Sequence, residues 1–245
     1  KVGFFITQDE NKTAFNFIND LVKKYSNKID SKVFIINDKK IYSCIACDVC
    51  PTHIGEDSEY RCIVKTKDDW FVKNHTELLD LDALVPVTFA SDNKNGLESV
   101  YQKFNERTRY LRRGDYLFSD LVVAPISIEE MGSHSSQKLR MMTSMIRHHT
   151  VMTQPLVTYL DRGKIIKMDS FYDKWELFLS QAKILTVGRL IDSQEFSPTS
   201  YVPKGYILSH AKELEDEKLN KRIEVVRAKK KHQLLNFKRR IIPNV

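Results

Sequence analysis

With 245 residues, 42% hydrophobic and 29% charged, the chain can bury one large core, or a core with a substantial appendage. No apolar run approaches the roughly 18 residues of a membrane span, and the opening Lys-Val-Gly-Phe-Phe-Ile-Thr is too short and too soon charged to read as a signal peptide. The expectation is therefore a soluble globular protein with no membrane partner. Its net charge of +7 is uneven: the basic residues between Lys218 and Arg240 face Glu224 alone. No nucleic-acid recognition motif accompanies that charge, so a solvated or oligomer-contacting helix is the expected role rather than nucleic-acid binding.

In chain order, the apolar run over residues 2–6 predicts a strand, and Phe17, Ile18, Leu21, Val22 and Tyr25 recur at helical spacing after a polar loop. A second strand over 32–36 leads into a cysteine-bearing loop. Asp68 and Asp69 then stand at an N-cap ahead of Trp70, Phe71, Leu78 and Leu79. A third strand spans 81–89, a helix is marked by Leu97, Val100, Tyr101, Phe104 and Leu111, and a fourth strand covers 121–126. Leu139, Met142, Met145 and Ile146 mark another helix, and 151–159 gives the fifth strand. Met141, Met142, Met145, Trp70 and Trp175 read as apolar filling of helix faces. Beyond, 171–191 is helical, 196–205 is an irregular Pro/Ser/Gly-bearing linker, and 206–237 is a long charged helix.

Strands alternating with helices at this pitch require crossovers, and helical crossovers put parallel neighbours in one sheet. The predicted class is α/β, a doubly wound parallel five-stranded sheet over 1–165 with a mainly helical C-terminal extension over 166–245. Trp175, Phe178, Leu179, Ala182 and Leu185 give that extension an apolar face to set against the sheet domain or another subunit.

The four cysteines are Cys44, Cys47, Cys50 and, after an insertion, Cys62. Three thiols at intervals of three can converge on one centre where the backbone turns, and a fourth can return to it at small entropic cost. This set suits a 4Fe-4S cluster or structural zinc, with unligated reduced thiols as the alternative, and it favours a reducing cytoplasm. His53 continues the interval but reads more readily as a solvated loop residue.

Three segments resemble the NADPH-dependent FMN reductase and iron–sulfur flavoprotein family, a flavodoxin-like group, over about residues 1–165. They are Cys44-x2-Cys47-x2-Cys50 through Cys62 to Asp68-Asp69; Val85-Pro-Val-Thr-Phe-Ala-Ser91 with Gly96-Leu97 and Phe104-Asn-Glu-Arg107; and Ala124-Pro-Ile-Ser-Ile-Glu-Glu-Met-Gly132. The resemblance implies FMN in the crevice at the carboxyl ends of the strands. Thr7, Asn11, Lys12 and Thr13 would lie at the phosphate, Pro86, Val87, Thr88, Phe89, Ala90 and Gly96 along the isoalloxazine, and Ser127, Gly132 and His134 on its other side. Related phosphate loops are rich in Ser, Gly, Arg and Asn. Here Asp9 and Glu10 stand in the loop, where a carboxylate repels a phosphate unless it faces solvent; either residue suits a helix cap instead.

The implied activity is an FMN-dependent oxidoreductase passing electrons between NAD(P)H or a carrier and a small-molecule or protein acceptor, with a 4Fe-4S cluster as relay where the cysteines hold one. No catalytic acid–base residue is required, and a homo-oligomer is expected. The alternative is a non-catalytic, zinc-stabilised binding or assembly protein with a basic C-terminal helix. Arg107, Arg109, Arg112 and Arg113 read as a solvated helix face ahead of a nucleotide-phosphate site, and Arg147, His148 and His149 as positive charge at a helix end.

Overall fold

The computed structural model describes residues 1–47, 62–90, 97–112, 118, 121–133 and 136–195, with backbone alone at 90 and from 189 on. The Val2–Gln8 segment, almost wholly buried, is the central strand β1. It pairs in parallel with β2 (Ser31–Ile35) on one side and β3 (Ala83–Ala90) on the other. A strand apolar on both faces is what a sheet covered on both sides demands.

The fourth and fifth strand lines are each broken at a proline, which has no N–H to give to a ladder. The fourth runs as β4 (Val122–Val123) and β5 (Ile126–Glu130) around Pro125, the fifth as β6 (Val151–Met152) and β7 (Leu156–Asp161) around Pro155. Ala83 opposes Val122 and Val87 opposes Ile126, so the fourth line keeps one register along β3. Val122 opposes Val151 but Ile126 opposes Leu156, so the fifth line holds one extra residue at its break. All these pairings are parallel, and the order of the lines is second, first, third, fourth, fifth. This is the flavodoxin-like order, with its switch point between β1 and β3. An antiparallel β8 (Lys164–Ile166), unforeseen in the sequence, follows a tight turn in which Arg162 and Gly163 both take positive φ, 47° and 79°.

Alternation along the strands sends residues to two cores. Phe4, Ile6, Val85, Val87 and Phe89 pack beneath α1 (Thr13–Lys24) and α6 (Met168–Glu195). Phe5, Phe34 and Leu84 pack beneath α2 (Trp70–Leu79), α3 (Ser99–Arg107), α4 (Arg109–Arg112) and α5 (Gln137–Ser144). The buried stripe of α5 is Gln137, Met141 and Met145, while Leu139 and Ile146 of the predicted face are about half exposed. The helix is rotated from the predicted face because Gln137 bonds inward, as described below. From α6, Phe171, Trp175 and Phe178 are fully buried, Trp175 against Phe4 and Tyr25, so the core of the sheet domain continues past residue 165 as far as Ala182. The linker expected over 196–205 and the helix over 206–237 lie outside the described residues. No helix among the described residues is long and apolar enough to cross a membrane.

Candidate functional site

At the carboxyl edge, β1 ends in Gln8 and the chain turns through Asn11 and Lys12, both left-handed at φ 53° and 57°. Lys12 occupies the N-cap position of α1 and has no acceptor to offer there. Asp9 folds back instead: its Oδ1 accepts from the Ala14 N–H at 2.8 Å and its Oδ2 from the Phe15 N–H at 3.1 Å. The Thr13 N–H goes to the Glu10 carbonyl at 3.0 Å and that of Asn16 to the Lys12 carbonyl at 2.9 Å. The donors expected to receive a flavin phosphate are thus engaged within the chain. Of the expected side-chain donors, Asn11 and Lys12 are exposed, Thr13 is half-buried, and Thr7 is buried with its hydroxyl donating to the Val87 carbonyl at 3.0 Å.

The strand at 83–90 runs on through the segment expected to edge a flavin ring. Pro86 is buried within it, and the Val87 and Phe89 side chains belong to the core under α1 and α6. Ala90 is the last residue of β3, and Gly96 and His134 lie outside the described residues. Thr88 stands directly opposite Ser127 across the β3–β5 ladder, and Glu129 lies two residues on, on the same face of β5. The Thr88 hydroxyl donates to Gln137 Oε1 at 3.2 Å, and the Ser127 hydroxyl to Glu129 Oε1 at 3.0 Å. Lys138 Nζ reaches the same Glu129 oxygen at 2.6 Å. Gly132, at φ 88°, makes the turn that follows β5.

Glu129, Gln137 and Lys138 were not among the sequence-predicted site residues. The alternation Ser127-x-Glu129 was a readable signal for the first, because it puts both side chains on the face of Thr88. Nothing local marks Gln137, which is buried because its helix starts over Thr88.

The cysteine loop is held from both limbs. Asp69 caps α2 through the Phe71 N–H at 3.2 Å, as its position predicted, and pairs with Arg107 Nη2 at 2.6 Å, both side chains being wholly buried. Arg107 also donates to the Tyr42 carbonyl at 2.9 Å, before the cysteines, and to the Val64 carbonyl at 3.4 Å, after them. Its guanidinium lies 5.2 Å from the Phe71 ring centroid. The solvated or nucleotide-binding role expected of Arg107 is thereby corrected, since its charge is spent inside the fold.

Arg109 and Arg112 line an open cleft of about 690 Å³ together with Cys44, Glu106, Arg147 and His148, while Arg113 lies outside the described residues. None of the expected flavin contacts lines this cleft. His148 is buried against Phe118, its Nε2 is 3.0 Å from the Thr108 hydroxyl, and burial, with Arg112 and His149 adding to it, pushes its pKa down to about 3. It is therefore neutral, which corrects the expectation of a charged helix end at this position.

Cys44, Cys47 and Cys62 are partly exposed free thiols, and Cys50 lies outside the described residues. Among the described residues, no three Cys, His, Asp or Glu side chains converge on one metal-sized centre. The predicted ligand set is therefore not assembled in the part of the loop that is described.

The order of the strand lines, with its switch point at β1 and β3, defines a flavodoxin-like fold. No protein-family profile matches the chain, and no curated protein does. Solved structures similar to it include a flavodoxin, WrbA-like protein from Agrobacterium tumefaciens, at 9% identity and TM-score 0.43 over 77% of this chain and 98% of that one. A flavodoxin from the domain Archaea aligns at 11% identity and TM-score 0.43, over 76% and 99%. FerB, a flavoenzyme NAD(P)H:(acceptor) oxidoreductase from Paracoccus denitrificans, aligns at 10% identity and TM-score 0.47, over 76% and 96%.

Proposed function

We propose that the chain is a flavin-dependent oxidoreductase of the FMN reductase kind, with the isoalloxazine over the carboxyl ends of β1, β3 and β5. It would pass electrons between NAD(P)H or a carrier and a small-molecule or protein acceptor. The observation that carries this reading is the polar network of Thr88, Gln137, Ser127, Glu129 and Lys138 across β3, β5 and α5, next to the switch point between β1 and β3 where doubly wound sheets take their ligands. Bound flavin would supply the hydride and electron chemistry. The chain's own groups would orient it: the Thr88–Gln137 bond holds the start of α5 against β3, and the Glu129–Lys138 ion pair holds α5 against β5.

The fit is uneven. On the ring side Thr88, Ser127, Glu129 and Gln137 are buried polar side chains already bonded to one another, whereas the phosphate end holds Asp9, and FMN enters in full only if that carboxylate leaves the Ala14 and Phe15 N–H groups. The spacing of Cys44, Cys47, Cys50 and Cys62 supports a 4Fe-4S relay in a reducing cytoplasm, and a homo-oligomer would shield the flavin.

A visible spectrum of protein reconstituted with flavin, before and after anaerobic dithionite, tests the reading. Flavin bands that bleach on reduction are expected, with a brown shoulder and near-stoichiometric iron if the cluster is present. Protein that stays colourless after reconstitution overturns it, and zinc in that colourless protein favours the non-catalytic, zinc-stabilised alternative. Light scattering reads the oligomer: a monomer at all concentrations removes that part.

A further inference from the structure

A carboxylate occupies the N-terminus of α1, where the family resemblance puts the flavin phosphate, and the loop is shaped to hold it there. Asp9 precedes the first residue of α1 by four positions, too far for an ordinary cap, and reaches the helix only because Asn11 and Lys12 in succession take left-handed conformations. The result is two hydrogen bonds of normal length, one from each carboxylate oxygen, to the adjacent N–H groups of Ala14 and Phe15. That is how a phosphate is held at a helix N-terminus, with the charge-assisted bonds and the favourable dipole both satisfied from within. An incoming phosphate would compete for the same donors and meet a like charge at hydrogen-bond distance.

We infer that Asp9 is an internal surrogate for the flavin phosphate, so that the site selects flavin by its ring and ribityl chain and gains little from the phosphate ester. The inference rests on the flavin reading above. Asp9 is then a specificity-determining residue, and its removal turns the loop into a phosphate acceptor: the Ala14 and Phe15 N–H groups become available, and Lys12, exposed beside them, adds a positive charge.

The test is a titration of apoprotein with FMN and with riboflavin, followed by quenching of flavin fluorescence, for the parent chain and for Asp9→Ser and Asp9→Asn. The parent is expected to bind the two flavins within about threefold of each other. Asp9→Ser is expected to tighten FMN by about tenfold or more while riboflavin moves by less than about threefold. Asp9→Asn keeps a cap oxygen without the charge, so it guards against a folding failure of Asp9→Ser, and circular dichroism checks both. A parent that prefers FMN by about tenfold, or variants that leave the FMN-to-riboflavin ratio unchanged, overturns the surrogate role while leaving the flavin reading intact. Absence of any flavin binding by all three folded proteins overturns both.

Discussion

Arg107 shows how a single residue can be misread from its neighbours. In the run Arg107, Arg109, Arg112 and Arg113 it looks like one charge of a solvated face, yet it is buried and closed by Asp69, 38 positions earlier in the chain. No periodicity announces such a pairing, because the pairing exists only once α2 and α3 are packed. Removing one member leaves the other as an uncompensated buried charge, which costs about 3–5 kcal/mol. Arg107→Met is expected to lose stability on that scale in urea unfolding, and Asp69→Asn combined with Arg107→Met to lose less than the sum of the two single changes. Additive losses would mean that the pair is not coupled.

His148 carries a second prediction at this scale. Its folded pKa of about 3 lies below the ordinary value near 6.5, so as pH falls the unfolded chain takes up a proton that the native state refuses. Stability is unaffected by this group above about pH 6.5 and is lost progressively from there toward pH 3. His148→Gln, whose amide can still meet the Thr108 hydroxyl, is expected to lose less stability between pH 7 and pH 4.5 than the parent does. Equal losses in chemical unfolding at the two pH values would defeat the assignment.

At the scale of elements, the sequence disclosed a good deal. The Asp69 cap, the amphipathic spacing of α1 and the alternation of strand with helix were legible because each is a local pattern that burial then reinforces. The loops were less so: Ile-Ser-Ile-Glu-Glu at 126–130, set beside the flavin ring by the resemblance, continues the fourth strand line as β5, which pairs with β3 on one side and β7 on the other. The Arg162-Gly163 turn and β8 were missed for want of a long apolar run to mark a three-residue strand. The largest difference concerns α6. Its apolar face was open to two readings, sheet domain or subunit contact, and Phe171, Trp175, Phe178 and Ala182 settle on the sheet beside α1. A chain ending at 166 would leave Phe4, Phe17 and Tyr25 without those rings and is expected not to fold, whereas one ending at 188 should melt cooperatively. Trp175→Ala should cost about 3–5 kcal/mol, measured by urea unfolding. A cooperative melt from the shorter chain would place the core boundary before α6.

On the scale of the whole molecule, two groups of polar side chains stand apart. One is the carboxyl-edge network around Thr88, Ser127 and Glu129; the other is the cleft in which Cys44 meets Arg109, Arg112 and Arg147, and the two have no described residue in common. The described limbs of the cysteine loop are anchored by Arg107 through backbone carbonyls, at Tyr42 and Val64, and these bonds involve no thiol. On the flavin reading proposed above, changes at the thiols and changes around Thr88 are therefore expected to add independently, as sites without shared contacts do. If the proposed cluster or zinc is present, Cys44→Ser and Cys47→Ser should lower iron or zinc content, because a hydroxyl is a poor soft-metal ligand, while affinity for added flavin in the same preparations stays within about twofold of the parent. Thr88→Val, which removes the hydroxyl bonded to Gln137, should weaken flavin and leave metal content alone. Loss of flavin in step with metal across the cysteine variants would show instead that the loop, beyond its described limbs, forms part of the flavin crevice.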